Sequence, residues 1–148
     1  MVAKGEMDLG QISWRLIYDS EAPTDKAYFN TAYLNAGSGI LVRECEGQDC
    51  AIPRIYYQRI TDVATWEPWQ DFFISWKSKN NTLNKDFKLF SSLEDLVMGK
   101  NAWTFCNYDE GSHGLGFPAD CGPTGLTPFN WQSETHPRGV KDFEWSVL

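Results

Sequence analysis

Long apolar runs are missing from this chain. No stretch of 18 apolar residues occurs, so nothing reads as a membrane-spanning helix. Basic runs are missing too. The net charge is −7 with no Lys/Arg cluster, which argues against nucleic acid and anionic membranes as partners. Histidine is scarce: only His113 and His136 occur, and neither lies in a nucleophile signature. There is no Gly-x-Ser-x-Gly, no P-loop, no His-Glu-x-x-His and no Cys-x-x-Cys. No catalytic residue is therefore assigned. Repeats, low-complexity tracts and linkers are absent as well, so the 148 residues fit a single domain, taken as 9–148. Residues 1–8 are set apart as a disordered or expression-derived leader. Met1 to Glu6 lacks the apolar core of a signal peptide, which leaves a removed signal or a cytosolic protein as the two readings.

Aromatics are plentiful by contrast: seven Trp, six Tyr and nine Phe. Sheets favour such side chains, but seven Trp exceed what a core of this size usually needs, and a surplus ring can offer a flat apolar face at the surface.

The four cysteines, Cys45, Cys50, Cys106 and Cys121, suit a disulfide framework with three possible connectivities. Local pairing is favoured. Cys45 and Cys50 enclose a short turn around Gly47, and Cys106 and Cys121 enclose a Gly- and Pro-rich loop that has little regular structure to restrain it. A zinc site or free thiols remain the alternatives. Zinc spacing admits the first pair and not the second. Disulfides imply a secreted or extracellular protein. The triplet Asn80-Asn81-Thr82 fits an N-glycosylation acceptor at Asn80, in a polar stretch that reads as a surface loop.

Strand signals dominate the chain. Ile12, Trp14, Leu16 and Tyr18 alternate with polar residues and predict a half-buried strand. Segments 40–43 and 52–60 predict a hairpin with the Cys45–Cys50 loop at its tip. Gln70 to Lys77 predicts a strand with Phe72, Ile74 and Trp76 on one face, 86–90 a shorter strand and 102–108 another. Phe143, Trp145 and Val147 alternate in a last strand, which is expected to neighbour the first. Ser92-Leu93-Glu94-Asp95 resembles a capping box and predicts the one short helix, whereas 27–35 is ambiguous. The fold class expected is all-β: an antiparallel β-sandwich or jelly-roll-like domain of about seven or eight short strands.

The segment 106–131 is long for a loop in a compact domain, and such loops tend to be functional. It offers Asp109, Glu110 and Asp120, which could hold Ca²⁺ through oxygen ligands; otherwise no cofactor is expected. Asp109, Asp120 and Asn130 could bond ligand hydroxyls, and Phe117 and Trp131, with Trp66 and Trp69 of an aromatic-flanked turn, could lie under the C–H face of a sugar. Within 117–131 the order Phe-Pro, Cys-Gly, Gly and Phe-Asn-Trp resembles the C-terminal part of intelectins over about a tenth of the chain. That resemblance implies an extracellular, calcium-dependent lectin. The expected function is thus carbohydrate recognition. A small-ligand or chromophore-binding β-barrel and a two-carboxylate glycoside hydrolase are the alternatives.

Overall fold

The computed structural model describes residues 13–45, 52–62, 67–74, 76–106, 117–119, 121–125, 127 and 142–148. They form one five-stranded antiparallel sheet: β1 (Arg15–Asp19), β2 (Ile40–Cys45), β3 (Arg54–Arg59), β4 (Phe87–Phe90) and β5 (Phe143–Val147). The spatial order is β1-β5-β2-β3-β4. The last strand lies between the first and the second and pairs antiparallel with both. β1 and β2 therefore run parallel to each other without touching, joined through helix α1 (Lys26–Ala36). The all-β class holds, and so does the pairing of first and last strands. Among the described residues the seven or eight strands of a sandwich or jelly roll are not found, and β1 and β4 are the two ends of the strand order.

Two predicted strands are not strands. Gln70–Ile74 is a π-helical segment. The alternation of Phe72, Ile74 and Trp76 competes with a second pattern, Trp69-Phe72-Phe73-Trp76, which has the i, i+3, i+4, i+7 spacing of a helix face. The helical pattern wins because it stacks rings one turn apart: Trp69 on Phe73 at 4.0 Å and Phe72 on Trp76 at 5.8 Å between centroids. Of the predicted strand 102–108 the structure describes 102–106, and among these Phe105 makes an isolated bridge, to Gly122.

The ambiguous 27–35 stretch is helical. The Asp25 carboxylate accepts the Tyr28 N–H at 2.8 Å, and Gly37 ends the helix in the left-handed region, φ 74°. Between these caps Phe29, Ala32 and Tyr33 share one stripe and are buried. The short helix α2 (Leu93–Met98) matches expectation: Ser92 Oγ accepts the Asp95 N–H at 3.1 Å, and Gly99 closes the other end at φ 66°.

Both faces of the sheet are covered. On one face Leu41, Ile55, Tyr57, Phe87, Leu89, Trp145 and Val147 pack against α1, the π-helical segment, Trp103 and Phe117. On the other, Val42, Tyr56 and Phe90 pack against Leu96 of α2, with Trp14 and Ile40 at the margin. The aromatic surplus is largely core: Trp76, Trp103 and Trp145 are fully buried. Leu16, expected in the core with Tyr18, is exposed, while Ile17 is buried. A bulge between Leu16 and Tyr18 shifts the register, so Leu16 sits opposite Ser146 on the outer face and Tyr18 opposite Trp145 on the inner one.

Arg43 occupies the middle of the inner face, paired in register with Ile55 and Trp145 and wholly buried. Its Nη1 donates to the Phe117 carbonyl at 3.2 Å, and its guanidinium lies 5.7 Å from the Phe117 ring centroid. Burial pulls its pKa down to about 9, so it stays charged at neutral pH.

Candidate functional site

Of the residues singled out in the sequence, Asp109, Glu110, Asp120, Asn130, Trp131 and Trp66 lie outside the described residues. Phe117 is a correction. It is fully buried, its ring lies 4.9 Å from Trp76 and 5.1 Å from Trp145, and its N–H donates to the Phe72 carbonyl at 2.9 Å. No ring face is left for a ligand, because the ring fills the gap between the sheet and the π-helical segment. Trp69 is half-buried and packs on Phe73, Tyr18 and Phe29, and its backbone N–H donates to Asn30 Oδ1 at 2.9 Å, tying the π-helical segment to α1.

Cys106 and Cys121 form a disulfide. The indole N–H of Trp76 points at Cys106 Sγ, 3.2 Å away. Cys45 is disulfide-bonded too, and its expected partner Cys50 lies outside the described residues. Among the described residues no group of His, Cys, Asp or Glu could hold a metal ion, and the Asp109–Glu110–Asp120 set lies outside them.

A surface cavity of about 260 Å³ is lined by Tyr33 and Leu34 at the end of α1, the turn Gly37-Ser38-Gly39, Arg59 at the end of β3, and Thr61 and Asp62 beyond it. Its floor is built around Arg59. Nε donates to the Thr61 carbonyl at 3.2 Å, Nη1 to the Tyr57 hydroxyl and to Asn81 Oδ1, each at 3.2 Å, and Nη2 to the Asn80 carbonyl. Asn81, fully buried, passes the contact on by donating to the Lys77 carbonyl at 3.0 Å. The turn is locked to β3: the Arg59 N–H donates to the Gly39 carbonyl at 2.9 Å, and the Tyr33 hydroxyl donates to the same oxygen at 3.3 Å. Gly39 has φ +70°, and a Cβ there would come within 3.3 Å of Arg59 Cβ, so glycine is what permits this approach.

Burial holds the Tyr33 and Tyr57 phenols above the ordinary tyrosine value, the nearby Arg59 charge only partly opposing it. Both stay protonated and present fixed hydroxyls. The stability tied to these neutral phenols is complete below about pH 10 and declines as pH climbs from there toward the folded-state values. In an ultraviolet absorbance titration these two tyrosines are expected to lose their protons only after tyrosines of ordinary pKa, and the late step should shrink in Tyr33→Phe and in Tyr57→Phe. A single step near the ordinary value for every tyrosine would contradict this. On the outer side, Asp86 accepts the Thr82 N–H at 2.9 Å and the Thr61 hydroxyl at 2.8 Å, and these donors hold its carboxyl below the usual range.

A smaller cavity, about 140 Å³, is lined by Asp19, Ser20, Glu21, Glu44, Asp142, Phe143 and Glu144. Asp19, Glu144 and Glu44 are register neighbours across β1, β5 and β2. Like charges placed so oppose one another, and Arg54 next in the row relieves Glu44 at 3.5 Å.

Neither cavity was visible to sequence reasoning. Asn-Ala-Gly-Ser-Gly announces a turn, but only the β2–β3 pairing brings Arg59 against Gly39. The acidic row requires the last strand to insert between the first two. Comparison with family models, with curated proteins and with solved structures finds no match.

Proposed function

We propose that this domain is a lectin-like recognition module of a secreted protein, and that it takes one small polyhydroxylated unit, such as a sugar ring or chain end, in the Tyr33–Arg59 pocket. The observation that carries the reading is the composition of that pocket. It brings the polar residues Tyr33, Ser38, Thr61, Asp62 and Arg59 together with the apolar Leu34. A sugar has the same division: hydroxyls that both donate and accept, and C–H faces that prefer an apolar wall. The volume lies below the ~300–1,000 Å³ of pockets for drug-sized ligands, which suits one unit. The floor is fixed before any ligand arrives, so little ordering cost falls on binding. Disulfide bonding supports the extracellular assignment.

A second place for the same chemistry is the 106–131 segment, with calcium held by Asp109, Glu110 and Asp120 and the ligand by Asp109, Asp120, Asn130 and Trp131. It is favoured by its anchoring: the disulfide closes it and Phe117 is seated in the core.

A glycan array read with the wild type, Leu34→Trp and Asp120→Asn, each with and without chelator, separates the two. Leu34 is about half exposed, so an indole there should fill the pocket and leave the floor intact. Binding in the pocket predicts at least a tenfold loss in Leu34→Trp, about 1.4 kcal/mol, with no effect of chelator. Binding lost in Asp120→Asn or in chelator moves the site to 106–131. No glycan bound by the wild type defeats both.

A further inference from the structure

We propose that Asn80 carries an N-linked glycan, standing beside the Tyr33–Arg59 pocket; this does not depend on what the pocket binds. Asn80-Asn81-Thr82 is the only Asn-x-Ser/Thr triplet in the chain. The structure sorts its members sharply. Asn81 is fully buried, whereas Asn80 and Thr82 are exposed. Asn80 takes φ 54° in the turn that follows the π-helical segment. That turn is held from beneath and from its backbone. Asn81 Oδ1 and the Asn80 carbonyl accept from Arg59, the Asn81 N–H donates to the Ser78 carbonyl at 3.0 Å, and the Thr82 N–H donates to Asp86 Oδ2 at 2.9 Å. A group attached to the Asn80 side-chain nitrogen displaces none of these bonds.

A second observation points the same way. The described cysteines are all disulfide-bonded, which fits an oxidising secretory route, where asparagine is glycosylated. The Asn80 amide nitrogen bonds to the anomeric carbon of an oligosaccharide carried on a lipid pyrophosphate. The bond from that carbon to the phosphate oxygen breaks, the lipid pyrophosphate leaves with the electron pair, and the amide gives up one proton. Because one guanidinium both grips the Asn80 carbonyl and lines the pocket, the glycan stands at the pocket's edge.

The full chain, directed into the secretory pathway of a eukaryotic cell or into microsomes, tests this by intact mass before and after peptide N-glycosidase. One enzyme-sensitive increment is expected, mapped by the aspartate the enzyme leaves in place of Asn80. Thr82→Ser should keep the increment, and Thr82→Ala and Asn80→Gln should abolish it. Asn80→Asp, the residue the enzyme leaves and one that the φ of 54° tolerates, should also lack the increment and melt with the deglycosylated wild type, showing that the loss is of the acceptor and not of the fold. Imported wild type with an unmodified Asn80 peptide, or an increment that survives Thr82→Ala, would overturn the proposal.

Discussion

Trp145→Ala is expected to cost ~3–5 kcal/mol, a large part of the ~5–15 kcal/mol that holds a domain of this kind together. Trp145 lies on β5, with β1 on one side and β2 on the other, and is fully buried. Its ring stacks on Phe72 at 4.8 Å and meets Phe117 at 5.1 Å and Phe29 at 6.1 Å. Removing it opens a cavity where the sheet, α1, the π-helical segment and the Phe117 turn converge, and none of these can move in without breaking its own register. Denaturant unfolding checks this. Trp145→Phe should lose less, since a ring remains to stack. A loss below about 1 kcal/mol for the alanine variant would mean that the inner face is not packed as described.

The second large effect is expected from the Cys106→Ser/Cys121→Ser pair: a loss of about 3 kcal/mol, from loop-closure entropy alone. The disulfide spans 15 residues and frames Phe117 and Ala119, both buried. Without it, the segment that accepts the Arg43 hydrogen bond and fills the space between Trp76 and Trp145 must be ordered by packing alone. The Cys45→Ser/Cys50→Ser pair should cost less, because the loop between those residues is shorter. Equal unfolding midpoints for the two double variants would contradict that order.

Legibility followed the kind of signal. Where one local pattern stood alone it was reliable. Phe143, Trp145 and Val147 alternate and form a strand, and Ser92 with Gly99 brackets α2. Where two periods overlapped, the choice depended on packing outside the window. Phe72 and Trp76 fit both strand and helix spacing, and only Trp69 and Phe73 tip the balance, by stacking one turn apart. In β1 the alternation was real but broken. The bulge beyond Leu16 inserts one residue, so the half before it faces outward and the half after it faces the core. Strands β2 and β3 are buried on both faces, which hides any alternation. Leu41, Val42, Ile55, Tyr56 and Tyr57 are all buried, although a period-two reading admits only half of them.

The sites were harder to see because they are made by topology. Arg43 reads as the polar half of an alternating strand, yet it occupies the core face, because the carbonyl and ring of Phe117, far along the chain, receive its charge. Arg59 reads as the solvated end of β3, and becomes a hub only when Gly39, Asn80 and Asn81 are brought to it. Phe117 looked like a ring available to a ligand because it sits in a loop-like stretch, but a fixed loop can bury its aromatics as fully as a strand does.

The proposal that the Tyr33–Arg59 pocket holds a sugar unit is tested most directly by nuclear magnetic resonance. The labelled protein is titrated with a panel of neutral, acidic and N-acetylated monosaccharides, and the backbone amide shifts are followed. Binding in the pocket predicts saturable shifts for at least one sugar, concentrated on Leu34, Gly37 to Gly39 and Arg59 to Asp62, and absent from Leu34→Trp. Saturable shifts confined to amides elsewhere, or none with any member of the panel, would contradict it.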